Sequence, residues 1–310
     1  MHFLAFFLAH VKKKYYLCTL KTYKNMILTN EILSVEVASH GAEPVSLKKN
    51  GREYLWNGDA RFWNRHAPIL FPAVGKPCNN QVHIDGKPYT LKQHGFARDC
   101  EFEQISEGRM RMMDSDHSEN YPYRYNLEVQ YRLNANTLEV IWRVENHDTC
   151  DMFFQIGAHP GFMLPDYNPA DPVHGFLRYF NSKGEPVSPV IVSYLEEGNR
   201  VPLATPRVIP AEMPILSDSF AGDALMFEDG QVATAELCDK DGNHVLSVTC
   251  PQAQAYGIWA PNKENCPFVC LEPWCGLCDK KGFDGDISQR PYCHRLAPQE
   301  HYEFIYKIVL

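Results

Sequence analysis

The clearest pattern along the chain is an alternation of apolar and polar positions with a period of two. Leu127, Val129, Tyr131 and Leu133 alternate with Glu128, Gln130 and Arg132. After Asn134-Ala135-Asn136 the alternation resumes in Leu138, Val140, Trp142 and Val144. Successive side chains of a strand point to opposite faces, so this pattern predicts a hairpin with one dry and one wet face. Further hairpins are predicted where Asn50-Gly51, Asp85-Gly86 and Asp241-Gly242 separate short apolar runs. Those dipeptides accept the positive φ angles that tight hairpin turns demand. Tyr302, Phe304, Tyr306 and Ile308 alternate in the same way and predict one more strand.

No apolar i, i+3, i+4, i+7 stripe is sustained over a dozen residues. The 22 prolines and 19 glycines punctuate the chain too often for long helices. Prolines are dense from Pro165 to Pro214, which suits loops and edge strands and argues against a central strand there. The fold class predicted is all-β, a large sandwich of mostly antiparallel strands with few short helices, forming one domain over residues 26–310.

Composition narrows the function classes. The 310 residues carry 30 Lys+Arg against 38 Asp+Glu, a formal net charge of −8, which is the wrong sign for a protein that binds nucleic acid through phosphates. Eleven cysteines is an odd number, and the chain is too long for a small disulfide scaffold, so reduced thiols and a cytoplasmic location are expected. The apolar run Phe3–Ala9 precedes Lys12-Lys13-Lys14, the reverse of a signal peptide, and falls far short of the roughly 20 residues that span a bilayer. Residues 1–25 are therefore expected to be an N-terminal extension, a misannotated start or a disordered segment, and no membrane partner is expected.

Gly-rich phosphate loops, Gly-x-Ser-x-Gly elbows and His-Glu-x-x-His helices are absent, which moves attention to titratable residues in unusual backbone settings. His159 precedes Pro160-Gly161 and Glu272 precedes Pro273-Trp274; proline restricts both to extended geometry, and both are expected where a strand ends. His94 precedes Gly95, where backbone can approach a ligand closely. Spacing alone leaves each compatible with a hydrogen-bonded core histidine or a solvated turn glutamate. Cys266, Cys270, Cys275 and Cys278, with Cys293-His294, crowd the same region. However, Cys266 and Cys270 do not have the spacing that pairs with Cys-x-x-Cys in a structural zinc site, so no metal is expected.

Four segments in order carry a resemblance that spacing does not. They are Phe62-Trp63-Asn64-Arg65-His66-Ala67-Pro68-Ile69-Leu70-Phe71-Pro72-Ala73-Val74-Gly75, then Gln93-His94-Gly95-Phe96-Ala97-Arg98, then Gly157-Ala158-His159-Pro160-Gly161-Phe162, and finally Trp259 with Cys270-Leu271-Glu272-Pro273-Trp274. From about Met26 onward the chain resembles the aldose 1-epimerase (galactose mutarotase) family, in particular its LacX-like branch. The resemblance implies a β-supersandwich with a sugar-binding cleft on one sheet, and interconversion of the α and β anomers of a free aldose. It implies Glu272 as the base at the anomeric hydroxyl, His159 as the acid at the ring oxygen, and His94 as a second histidine polarising that oxygen, with no cofactor.

The same resemblance implies Asp223 as an acidic ligand for sugar hydroxyls and Trp259 as a stacking platform, although a turn aspartate and a core tryptophan are the plainer readings of those residues. Lys76 stands where the family usually has arginine and cannot form a bidentate fork; Arg65 is the nearby guanidinium, binding sugar or simply exposed. The expected partner is a free aldohexose such as galactose or glucose, bound by a monomer or weak dimer. Two alternatives stand beside it. One is a hexose 6-phosphate epimerase, for which Lys76 and Arg98 are the available cations; the other is a sugar-binding or sensing protein without turnover.

Overall fold

The computed structural model describes residues 25–113 and 119–310. The expectations for residues 1–24, the extension and its apolar run, lie outside the described residues. The predicted hairpin is present in full: strand Tyr125–Asn134 pairs antiparallel with Thr137–Asn146, from Tyr125 opposite Asn146 to Asn134 opposite Thr137. Leu127, Val129, Tyr131, Leu138, Val140, Trp142 and Val144 are buried, while Glu128, Gln130 and Arg132 are not. Strand His301–Val309 continues the sheet beside Thr137–Asn146 and buries Phe304, Tyr306 and Ile308. These strands are the centre of a nine-stranded sheet that runs from Glu212–Pro214 at one edge to Glu103–Ser106 at the other. The proline-rich region does supply an edge strand, Glu212–Pro214. It also forms a hairpin, Val190–Glu196 with Asn199–Val208, that pairs with no other strand.

A six-stranded sheet faces the first. Its order is Leu225–Phe227, Ala255–Trp259, Phe268–Cys275, Ile156–Ala158 and Ile69–Leu70, with Gly161–Met163 also pairing with Phe268–Cys275. One apolar core joins the two sheets, with Val129, Trp142 and Ile308 from one and Ile156, Tyr256, Ile258, Val269 and Leu271 from the other. The Tyr256 hydroxyl donates to the Val248 carbonyl across that core at 2.9 Å. Helix appears as three-residue 3₁₀ turns, among them Cys78–Asn80, Ala97–Asp99 and Ile287–Gln289. No helix among the described residues is long and apolar enough to cross a membrane.

Three details differ from the sequence reading. At Asn50-Gly51 and Asp85-Gly86 both residues take positive φ in tight turns, but at Asp241-Gly242 only the glycine does. There the Asp239 carboxylate accepts from the backbone N–H groups of Asp241 and Asn243, which stabilises a wider loop and shifts the register at Cys238. Glu272 is not at a strand end. It lies within Phe268–Cys275, and Pro273 follows it inside a central strand. The Trp274 carbonyl accepts from Gln254 on one side, so the Pro273 nitrogen faces the other side. The neighbouring chain leaves the sheet there, between Ile156–Ala158 and Gly161–Met163, and no ladder hydrogen bond is lost. Finally, Gly95 makes its close approach to the chain's own backbone. A side chain there would meet the Phe71 carbonyl, which accepts from Phe96 and Ala97.

Away from the cleft, His294 packs against Tyr302 (ring centroids 4.2 Å) and Phe154 (5.4 Å), and burial pushes its pKa down to about 4. The folded state keeps this ring neutral while the unfolded chain takes up a proton below its ordinary value of 6.5, so stability is lost as pH falls from about 6.5 to about 4. His294→Phe retains the ring contacts and removes the titration. Urea unfolding across that window should show the wild type losing up to about 3 kcal/mol relative to the variant. Parallel stability curves would refute the assignment.

Candidate active site

The six-stranded sheet sorts its residues by parity. In Phe268–Cys275, Val269, Leu271 and Cys275 enter the main core. Phe268, Cys270, Glu272 and Trp274 face the opposite way. The adjacent strand Ala255–Trp259 sends Tyr256 and Ile258 inward and presents Gly257 and Trp259 on the same outer face. Gly257 stands opposite Glu272 in the ladder, and Gly157 opposite Trp274. A Cβ on either glycine would fall within 2.7 Å of the Trp274 indole, so the two bare backbones create the space in which that ring lies flat. This face is the floor of a cleft of about 350 Å³.

His159 lies just past strand Ile156–Ala158, where Pro160 lifts the chain out of the sheet, and its ring turns back over the floor. Its Nε2 is 3.1 Å from Glu272 Oε2; the glutamate is 1% exposed and the histidine 7%. Trp63 and Trp259 wall the histidine, with ring centroids at 4.9 and 5.5 Å. Burial, reinforced by the negative charge of Asp223, pushes the Glu272 carboxyl well above the usual carboxylate range. Burial, and then the positive charge of Arg98, pushes His159 down to about 3. Both shifts disfavour charge, so the pair holds one proton between them over a wide pH range. Moving that proton across 3.1 Å interconverts the neutral pair and the carboxylate–imidazolium pair without exchange with solvent.

His94 is held by a reciprocal clamp. Its backbone N–H donates to the Gly75 carbonyl at 2.8 Å, and the Gly75 N–H donates to its Nδ1 at 3.1 Å. An accepting Nδ1 places the proton of the neutral ring on Nε2, which stands 3.3 Å from the Gln93 side-chain amide. Burial, Arg98, His159 and Arg65 together hold its pKa well below the ordinary value, which keeps the ring neutral. Its centroid is 5.5 Å from that of His159, edge to face.

The remaining sequence candidates divide. Asp223, Trp259 and Lys76 line the cleft. Lys76 is already engaged: its Nζ donates to the Glu197 carbonyl at 2.8 Å, and its own carbonyl accepts from Asn199 at 3.0 Å. It thereby joins the Gly75-Lys76 loop to the tip of the 190–208 hairpin, whose Leu195 and Gly198 form one lip of the cleft. Arg65 is absent from the lining; its guanidinium bonds Asp99 at 2.6 Å and the Arg98 carbonyl at 3.3 Å. The guanidinium in the cleft is that of Arg98, whose Nε is buried without a partner while one terminal nitrogen donates to the Gln93 carbonyl. Arg98, Trp63 and Trp274 all fall inside the motif segments, yet no role was read for the two tryptophans, and Arg98 entered only as a candidate phosphate ligand. The hairpin tip had no sequence signal. Cys275 and Cys278 are thiols, and the Cys-x-x-Cys pair diverges: Cys275 donates to the Gln252 carbonyl, whereas Cys278 lines the cleft against Met226.

The large antiparallel sandwich with an aromatic-walled cleft on one sheet is shared with known proteins. Residues 24–308 match the model of the aldose 1-epimerase family, and the chain belongs to that family. The chromosomally encoded Protein LacX of Lactococcus lactis subsp. lactis is 27% identical over 299 residues, covering 91% of this chain and 98% of the relative. A galactose mutarotase related enzyme from Lactobacillus acidophilus superposes with a TM-score of 0.82 at 28% identity, covering 92% of this chain and 97% of that one. A galactose mutarotase-like protein from Lactobacillus casei gives a TM-score of 0.81 at 26% identity, covering 92% and 99%.

Gly257→Ala tests the floor. Its methyl group would lie 2.6 Å from the Trp274 ring, so the indole must move. The expected result is a destabilisation of about 1–3 kcal/mol in urea unfolding together with a shifted tryptophan emission maximum. An unchanged spectrum and midpoint would show that the ring does not rest on this glycine.

Proposed function

We propose that this protein is a cofactor-independent aldose 1-epimerase that interconverts the anomers of a free aldohexose, such as galactose or glucose, with Glu272 and His159 as the acid–base pair. The observation that carries the proposal is the 3.1 Å contact between two buried groups of shifted pKa in a cleft of monosaccharide size. The anomeric hydroxyl and the ring oxygen are attached to the same carbon, so a pyranose seated across the pair reaches both groups. The shared proton first moves from Glu272 to His159; Glu272 as carboxylate then takes the hydroxyl proton while His159 as imidazolium protonates the ring oxygen, and the C1–ring oxygen bond breaks to give the open aldehyde. Rotation about C1–C2 turns the other face of the aldehyde to the C5 hydroxyl, and the reverse transfers close the ring as the other anomer.

The proton count of the pair is the same before and after, which matches a reaction with no net proton change. His94, neutral and carrying its proton on Nε2, donates a hydrogen bond to the ring oxygen and supports the developing alkoxide. Trp259 offers a face to the apolar side of the pyranose, and Asp223 accepts from sugar hydroxyls at the rim. A free sugar suits this cleft better than a sugar phosphate. Among the described residues Arg98 is the one guanidinium in its lining, and the Lys76 ammonium is already bound to the Glu197 carbonyl. The acid–base pair likewise supports turnover over binding alone. A monomer or weak dimer acting in the cytoplasm completes the proposal.

Relaxation of a freshly dissolved pure α-anomer, followed by polarimetry or NMR, tests this. Wild type should accelerate the approach to equilibrium, and Glu272→Gln and His159→Asn should each lower kcat by ~10²–10⁴-fold. If wild type relaxes galactose and glucose no faster than buffer, the proposal fails; if it relaxes only hexose 6-phosphates, the choice of a free sugar fails.

A further inference from the structure

Mutarotation leaves one buried group beside the pair unused. Cys270 precedes Glu272 by two residues on the same strand and so projects from the same face, beneath Trp63 and Trp259. Its Sγ, an imidazole nitrogen of His159 and a carboxylate oxygen of Glu272 all lie within 4.8 Å of one another, and all three residues are buried.

We infer that His159, Cys270 and Glu272 form a binding site for a borderline-soft divalent cation of the zinc type, which competes with the sugar for the acid–base pair and holds the protein inactive. Nitrogen and oxygen ligands at about 2.0–2.2 Å in a tetrahedral shell stand roughly 3.3 Å apart, close to the separation already present between His159 and Glu272. Cys270 completes a three-ligand set by a modest inward shift. The set mixes thiolate, imidazole and carboxylate, a combination that favours zinc or cobalt over magnesium or calcium, whose shells are built from oxygen. The fourth position opens toward the cleft that His159 and Glu272 line, where water completes the shell. Binding sends the thiol proton and the proton of the pair to solvent, leaving a thiolate, a neutral imidazole and a carboxylate on the ion. The ion then occupies the atoms that would otherwise move protons on the sugar. The metal-binding part stands on these three residues alone; the inhibitory part rests on the proposed epimerase activity.

The untagged full chain should be titrated with cobalt(II) and followed by absorption spectroscopy, and mutarotation should be assayed separately with zinc(II) and a chelator. Wild type should develop a thiolate-to-cobalt charge-transfer band in the near ultraviolet that excess zinc removes. Cys270→Ala should lose that band and raise the zinc concentration for half-inhibition by about tenfold or more, as expected when a soft ligand is lost. Cys270→Ser provides the same readout if the alanine variant is poorly folded. Cys150→Ser, which removes an exposed thiol elsewhere, should keep the band. No band in wild type, or a band that survives both Cys270 substitutions, would overturn the site. A band dependent on Cys270 with zinc-insensitive mutarotation would overturn the inhibitory role. If no sugar is turned over, the cobalt spectrum still decides the binding claim, so failure of this inference and failure of the epimerase reading are separable.

Discussion

The site depends on a carboxyl group being held dry. A lone carboxylate in an apolar interior is penalised by several kcal/mol, and a protein escapes that penalty either by pairing the charge or by keeping the group protonated. Glu272 takes the second route, its carboxyl kept protonated by burial. It lies against His159 with a single proton for the two of them, so neither extreme of charge is imposed, and the alternative proton positions are separated by one hydrogen bond. The aromatic walls supplied by Trp63 and Trp259 exclude the water that would otherwise pull both groups back to their ordinary pKa values. Arg98 acts on His159 from nearby, keeping its basicity low without touching it.

Holding that pair in register is the work of backbone and buried polar groups. The parity of strand Phe268–Cys275 aims Glu272 out of the core, and the proline after it is accommodated because the facing chain departs to deliver His159. The same departure thus removes a backbone conflict and supplies the second member of the buried pair. Around the rim, Arg290 and Asp279 form an ion pair at 2.6 Å with both side chains fully buried, and Arg290 also donates to the Val74 carbonyl. Gln155 accepts from the Val74 N–H and donates to the Leu277 and Pro291 carbonyls. Arg200 joins Glu228 and the Cys278 carbonyl, anchoring the tip end of the hairpin that lips the cleft. Truncating one partner of such a pair would leave the other charge uncompensated in the interior, which makes these contacts determinants of loop position as much as of stability.

How much of this was legible in the sequence varied with the range of the interaction. Alternation over Leu127–Val144 determined a hairpin whose register is local, and the same rule found the strand ending in Ile308. The turn at Asp241-Gly242 was read correctly as a reversal but not in its width, because Asp239 competes for the backbone through its side chain. Glu272 was misplaced at a strand end because a proline normally forbids a central strand; the exception comes from the path of a segment more than a hundred residues earlier, which no local pattern encodes. The pair itself, and the cleft positions of His94, Asp223, Trp259 and Lys76, were reached through family resemblance rather than through physics of the sequence. Arg65 and Arg98 show the residual ambiguity, since two arginines in neighbouring motifs exchange roles when Asp99 captures one of them.

Lys76 shows why a substituted position need not imply a lost function. A guanidinium at the usual family position could contact sugar hydroxyls through a planar fork; an ammonium on a flexible stem cannot. Here that stem packs under Gly198, where even a Cβ would come within 2.9 Å of it, and the charge is directed to the Glu197 carbonyl. Lys76 serves the lip of the cleft, and the hairpin it fastens pairs with no other strand. Shape at this side of the cleft is therefore set by a contact between two loops, while the chemistry at its floor is set by the rigid sheet.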